Sequence, residues 1–160
     1  MRYFSGTASH NTVMIDDKDQ MLKGGHFIWY YWSQCKEAVL KEEGSLYIFV
    51  GAVSAFSYIK DGIVHKRTLV KQKGKPVWEI RDELIGLPAG MKMRQLWHVP
   101  LNVKDRVTIV AKELNGMSIA AHLQDGWLSS FYGQKEETYE YSFSTENKII
   151  DTIVKVEPGT

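Results

Sequence analysis

The chain has 160 residues, enough for one domain with a sizeable core, since domains run to about 100–200 residues. Its 20 Lys and Arg nearly balance 19 Asp and Glu, and a net charge of +1 offers no basic field to nucleic acid or an anionic membrane surface. The single cysteine, Cys35, excludes an internal disulfide framework, and no run of about 18 apolar residues suggests a transmembrane helix.

Along the chain the dominant hydrophobic period is two, the signature of strands. Strands are expected over residues 11–15, 26–32, 37–40, 46–50, 53–59 and 63–70. Further candidates are 77–82, 92–99, 107–114, 117–123, 127–132, 139–144 and 149–156. Three of the breaks read as hairpin turns. Asp61-Gly62 separates 53–59 from 63–70, and Gln72 to Lys75 separates that strand from 77–82. Asn115-Gly116 separates 107–114 from 117–123, and Asn-Gly suits the positive φ angles of a type I′ turn. Residues 33–43 show no apolar stripe at helical spacing and read as strand and turn. Many short strands punctuated by Gly and Asp predict an all-β fold: one antiparallel β-sandwich over residues 1–160, with little or no helix. Residues 1–7 lack the apolar stretch of a secretory signal.

Residues 27–32, Phe-Ile-Trp-Tyr-Tyr-Trp, are bulky on both faces of an expected strand. One face suits the core and the other a neighbouring domain, or a sugar stacked on the rings. His65, His98 and His122 fall in separate strands and read as structural; His26 would meet His10 only if their strands paired. Asp16 and Asp19 are explained by turn chemistry, and Cys35 has no neighbouring charge that would activate it. No Ser/His/Asp arrangement, phosphate-binding loop, dinucleotide fingerprint or Cys-x-x-Cys is present.

A compound pattern occupies the first fifth of the chain. It comprises Arg2, Thr7, the run His10-Asn11-Thr12-Val13, Ile15-Asp16, Asp19-Gln20, then Gly25, Phe27 and Trp29. This pattern resembles the C-terminal β-sandwich of the heparinase II/III-like polysaccharide lyases. Weaker agreement continues in Arg-x-Leu-Val from Arg67, Val-Trp-x-Ile-x-Asp ending at Asp82, and the stretch Gly126 to Gly133. The resemblance implies a supersandwich-like fold belonging to a larger enzyme. In that family an N-terminal α/α-toroid carries an Asn, a His and the Tyr that serves as acid or base. A His-x-His-x-Asp element and an Asp-Pro-Gly turn with a nearby Tyr precede this region. None of these is in the chain, whose start therefore looks like a cut through a larger lyase.

The implied reaction is β-elimination at a uronic acid of an acidic polysaccharide such as a glycosaminoglycan. A cation or amide must neutralise the C6 carboxylate, a base must take the C5 proton, and an acid must protonate the leaving O4. The catalytic candidates are Arg2, Tyr3 and His10, and the substrate-binding candidates are Arg2 and Trp29. Arg2 would pair with a substrate carboxylate through its two-pronged guanidinium. Where family members hold zinc, the resemblance makes His10 one of three ligands, the other two lying on the missing strands. Zinc is thus expected in the intact enzyme and not on this chain alone, and the chain by itself is expected to be inactive. The expected partners are the polysaccharide and the toroid domain, with a periplasmic or secreted location for the whole enzyme. The alternatives are a non-catalytic carbohydrate-binding module, or a structural sandwich forming a homodimer through an exposed strand edge.

Overall fold

A computed structural model describes residues 3–25 and 27–158. Among them are thirteen strands: β1 (Val13–Ile15), β2 (Leu22–Lys23), β3 (Trp29–Tyr30), β4 (Gln34–Glu43), β5 (Leu46–Ser54), β6 (Val64–Gln72) and β7 (Val77–Ile85). There follow β8 (Met93–Pro100), β9 (Val107–Glu113), β10 (Ser118–Ile119), β11 (His122–Leu128), β12 (Glu136–Thr145) and β13 (Ile149–Val156). Short 3-10 turns cover Thr7–Ser9 and Leu101–Arg106. No helix among the described residues is long and apolar enough to cross a membrane.

The strands form an antiparallel sandwich, as the period of two predicts. One sheet has the order β10-β9-β13-β7-β6-β5-β4 and the other β1-β8-β12-β11, with β2 and β3 making a separate small ribbon. The sheets meet over a core that includes Val13, Ile15, Phe56, Ile63, Leu84, Met93, Phe143 and Ile150. The seven-stranded sheet overhangs the shorter one. A row of directly opposed residues, Thr152, Ile80, Leu69, Phe49 and Leu40, crosses its inner face. Ile80 and Thr152 are buried, whereas Leu40 at the far end is 71% exposed.

Several turns differ from expectation for identifiable reasons. The hairpin at Gln72–Lys75 forms as predicted, joining β6 to β7. Asn115-Gly116 also joins two paired strands, but not through a type I′ turn. Gly116 takes φ 85°, Asn115 is not left-handed, Gly116 N–H donates to Glu113 O, and Glu113 N–H donates to Met117 O. That is a type I turn closed by a glycine bulge. The expected strand 53–59 ends at Ser54, because Phe56 turns left-handed at φ 58° and drives its ring into the core. Residues 55–63 then form the connection from β5 to β6, with Ala55 N–H donating to Ile63 O. The expected strand 26–32 shrinks to Trp29–Tyr30, since Phe27 and Tyr31 are left-handed at φ 60° and 57° and break the alternation. The expected strands 117–123 and 127–132 resolve into β10 and β11, leaving Phe131 and Tyr132 in an exposed loop.

Candidate functional site

The segment before β1 is fastened to the segment before β2. Thr7 N–H donates to Asp19 Oδ1 at 2.6 Å, and Gln20 N–H donates to Thr7 Oγ1 at 2.9 Å. The Gln20 amide reaches Thr12 Oγ1 at 3.0 Å, and Tyr58 OH fixes the Asp19 carbonyl at 2.7 Å. Asp19 therefore does more than shape its own turn: it locks the 3-10 turn that delivers His10, whose N–H donates to Thr7 O.

These ties open a groove of about 310 Å³ lined by Thr7, His10, Thr12, Gln20, Met21 and Trp29. His10 is exposed, and Trp29 is half-buried with Lys23 Nζ 5.3 Å from its ring centre. Thr12 and Gln20 also line a second groove of about 340 Å³, which continues over Cys35, Phe49, His65 and Arg67.

Behind His10 lies a buried polar ladder. Asp82 is fully buried at the centre of the sandwich. It accepts from Arg67 Nε and Nη2, His65 Nε2 and Gln95 Nε2, each at 2.7 Å. Burial pushes the Asp82 carboxyl up, but the hydrogen bonds and charges of His65 and Arg67 outweigh it and hold the group well below the usual carboxylate range. Gln95 passes the chain on, accepting from Thr152 Oγ1 at 2.7 Å and Trp97 Nε1 at 2.9 Å. Arg67 Nη1 donates to the Asn11 carbonyl at 2.7 Å, so the residue beside His10 is tied directly to the core.

The Asn11 side chain connects to a second cluster. Its Oδ1 accepts from His98 N–H at 2.7 Å and from His98 Nδ1 at 3.1 Å. The other ring nitrogen, Nε2, lies 3.2 Å from Tyr3 OH and 3.4 Å from Glu140 Oε2. Tyr3 in turn accepts from Trp127 N–H at 3.2 Å. Glu140, buried on the strand opposite His98, accepts from Arg94 Nη2 and Gln124 Nε2 at 2.8 Å. Burial raises the Glu140 carboxyl, and the bonds from His98 and Gln124 with the Arg94 charge carry it below its ordinary value. Burial also pushes the Tyr3 phenol up, opposed by the Trp127 N–H and reinforced by the Glu140 charge.

Of the residues singled out in the sequence, the structure thus brings His10 and Trp29 to one groove. Tyr3 is not among the groove-lining residues and is engaged with His98 and Trp127. Arg2, and the pairing of His26 with His10, lie outside the described residues. Sequence reasoning missed Asp82, Arg67 and Glu140 as a framework. A signal existed for the first two, because a hairpin turning at Gln72–Lys75 sets Arg67 directly opposite Asp82.

The groove does not fit a zinc ion. Such sites need three or four converging nitrogen, sulfur or carboxylate donors. His10 shares its groove with hydroxyls and an amide, and no group of three His, Cys, Asp or Glu side chains among the described residues is placed to hold a metal. What the arrangement offers is an accessible imidazole, the hydroxyls of Ser5, Thr7 and Thr12, an amide and one flat indole face, a set suited to a polyhydroxylated ring.

Comparison with known proteins bears on the fold and family. A family model described as Heparinase II/III-like, C-terminal, matches residues 1–157. The crystal structure of the heparan sulfate lyase HepC from Pedobacter heparinus superposes with a TM-score of 0.69 and 14% identity, over 96% of this chain and 25% of that one. A mutant of HepC superposes equally, with a TM-score of 0.69 and 14% identity over 97% of this chain. The chain therefore spans a quarter of the length of the lyase it matches. No curated protein is a significant match.

Proposed function

The chain belongs to the heparinase II/III-like C-terminal family, and on that premise we propose that it is the β-sandwich part of a lyase that cleaves uronic-acid polysaccharides by β-elimination. The His10–Trp29 groove is the surface it turns toward the sugar. The observation that carries this reading is the placement of an exposed imidazole and a flat indole in one groove, which Thr7, Thr12 and Gln20 also line. Trp29 would stack on an apolar sugar face, and the hydroxyls and amide would hold ring hydroxyls. His10 would then stand where it can donate to, or accept from, an oxygen at the reacting centre.

Elimination also needs a group to neutralise the C6 carboxylate and a second proton-transfer partner. The Gln20 amide nitrogen is engaged by Thr12 Oγ1 and the Val13 carbonyl, and the groove lining holds no cation and no second proton-transfer side chain, so a complementary domain, the toroid implied by the family pattern, must bring them. Zinc would have to be completed from the same source, with His10 as this chain's contribution. The chain alone is then inactive. Incubation with heparan sulfate and with other uronate polysaccharides should produce no absorbance of unsaturated uronate; its appearance with this chain alone would refute the reading.

A second reading has one observation in its favour. Phe27, Tyr30, Tyr31 and Trp32 are exposed, Phe27 at 91% and Trp32 at 69%. As a sugar-stacking surface they would make the chain a carbohydrate-binding module without chemistry. Calorimetry separates the two readings: Trp32→Ala should abolish glycan binding by such a module, and Trp29→Ala should abolish binding in the groove.

A further inference from the structure

The seven-stranded sheet ends in β4, and all ten residues of that strand are exposed. Long unpaired edges attract other chains, and monomeric proteins blunt them with proline, shortness or repelling charge. Here β4 is long and proline-free, and its charges are of both signs: Lys36, Glu37, Lys41, Glu42 and Glu43. Its bulge lies at one end only, between Cys35 and Glu37. Val39 and Leu40 stand exposed at the middle.

We propose that β4 is a homodimerisation edge. It pairs antiparallel with β4 of a second copy about a two-fold axis through Val39, joining two seven-stranded sheets into one. This goes beyond the proposed lyase role and does not depend on it.

The register follows from geometry and charge. A two-fold axis perpendicular to the sheet keeps every side chain on its own face, and opposed residues in an antiparallel ladder share a face. The axis must therefore pass through a residue and not between two. Val39 lies opposite Val50 and Leu40 opposite Phe49, so successive residues of β4 alternate faces over this stretch. Centred on Val39, Glu37 meets Lys41 of the partner subunit, Ala38 meets Leu40 of the partner subunit, and the symmetry repeats both. Lys36, the residue skipped by the bulge, comes level with Glu42 of the partner subunit. Centred on Leu40, Glu37 would face Glu43 of the partner subunit, twice over. Centred on Ala38, Glu37 would face a valine and Lys41 a cysteine, with no ion pair formed. Among these axes only the one through Val39 sets Glu37 against Lys41 and Lys36 against Glu42 with no like charges opposed, leaving Glu43 opposite a cysteine. On the inner face it also covers Leu40, the exposed end of the apolar row Phe49–Leu69–Ile80.

Light scattering and sedimentation equilibrium on the chain should give a dimer. Lys41→Glu should give a monomer with an unchanged circular dichroism spectrum, and Lys41→Arg should remain dimeric. In a Cys35→Ser background, Val39→Cys should form an intermolecular disulfide on mild oxidation, because the axis sets the two copies of this residue face to face. Val50→Cys, one strand further in, should not. A wild-type chain that stays monomeric at high concentration overturns the proposal. So does a dimer that survives Lys41→Glu, or cross-linking through Val50→Cys as fast as through Val39→Cys.

Discussion

Arg67 grips both carboxylate oxygens of Asp82, Nε to Oδ1 and Nη2 to Oδ2, each at 2.7 Å. The third arm of the same guanidinium holds the Asn11 carbonyl at 2.7 Å. One side chain thus joins a buried charge in the seven-stranded sheet to the chain segment that carries His10. The position of the groove is a consequence of the core.

Removing Arg67 leaves Asp82 buried with half its compensation gone. Breaking a buried pair from one side typically costs about 3–5 kcal/mol, so Arg67→Met should lower the unfolding free energy by that order. Arg67→Lys, which keeps the charge but loses the two-pronged contact, should cost less. Urea unfolding measures both, and a loss below about 1 kcal/mol for Arg67→Met would mean the ladder is not structural.

The same site sets an acid limit. Asp82 is held below its ordinary range in the folded state, so its stabilising contribution is complete above the unfolded carboxylate pKa of about 3.9. It is lost as pH falls below that value toward the depressed folded one. Stability should therefore decline below about pH 4. In Arg67→Met the acid decline should be shallower, because the folded carboxyl then lies closer to its unfolded value and the difference in proton uptake shrinks. Urea midpoints across the acid range test this, and superimposable profiles would contradict it.

Gly126 makes room for the Tyr3 hydroxyl. A Cβ there would lie 2.9 Å from Thr138 Oγ1 and 3.2 Å from Tyr3 OH. Overpacking of this kind costs about 1–3 kcal/mol, so Gly126→Ala should lower the melting temperature. The loss should be smaller in a Tyr3→Phe background, where one of three close contacts is gone, the third being His98 Cδ2 at 3.3 Å. Equal losses in both backgrounds would show that Tyr3 does not pack there.

Metal content tests the reading of His10. With a single imidazole and no convergent carboxylate in the groove, the purified chain should carry well under one zinc per molecule. A full equivalent of zinc by elemental analysis, lost on His10→Ala, would show that the chain completes a site by itself.

Much of this architecture is legible in the residues, and the exceptions have physical causes. The strand Ile149–Val156 appears with its expected bounds, and the turn at Gln72–Lys75 sets the β6–β7 register. Alternation misleads where aromatic rings leave it. Phe56 looks like one more strand residue but turns left-handed to fill the core, and Phe27 and Tyr31 turn left-handed with their rings exposed within the expected aromatic strand. His10 and Trp29 are visible through a family pattern, whereas their meeting depends on bonds from Thr7 to Asp19 and Gln20 that no local period encodes. The burial of Asp82 and Glu140 is not legible in the sequence, because burial of an acid depends on partners that are distant in the chain. Asp82 finds Arg67 and His65 across a hairpin, and Glu140 finds Arg94 and Gln124 on neighbouring strands.

The most direct test of the sugar-facing groove is a titration of the isotopically labelled chain with a heparan sulfate oligosaccharide, followed by amide and indole resonances. The largest shifts should fall on the Trp29 indole N–H and on Thr7, His10, Thr12 and Gln20, and they should disappear in Trp29→Ala. No shifts, or shifts confined to the outer face of the large sheet around Arg81, Lys112 and Asp151, would contradict the account.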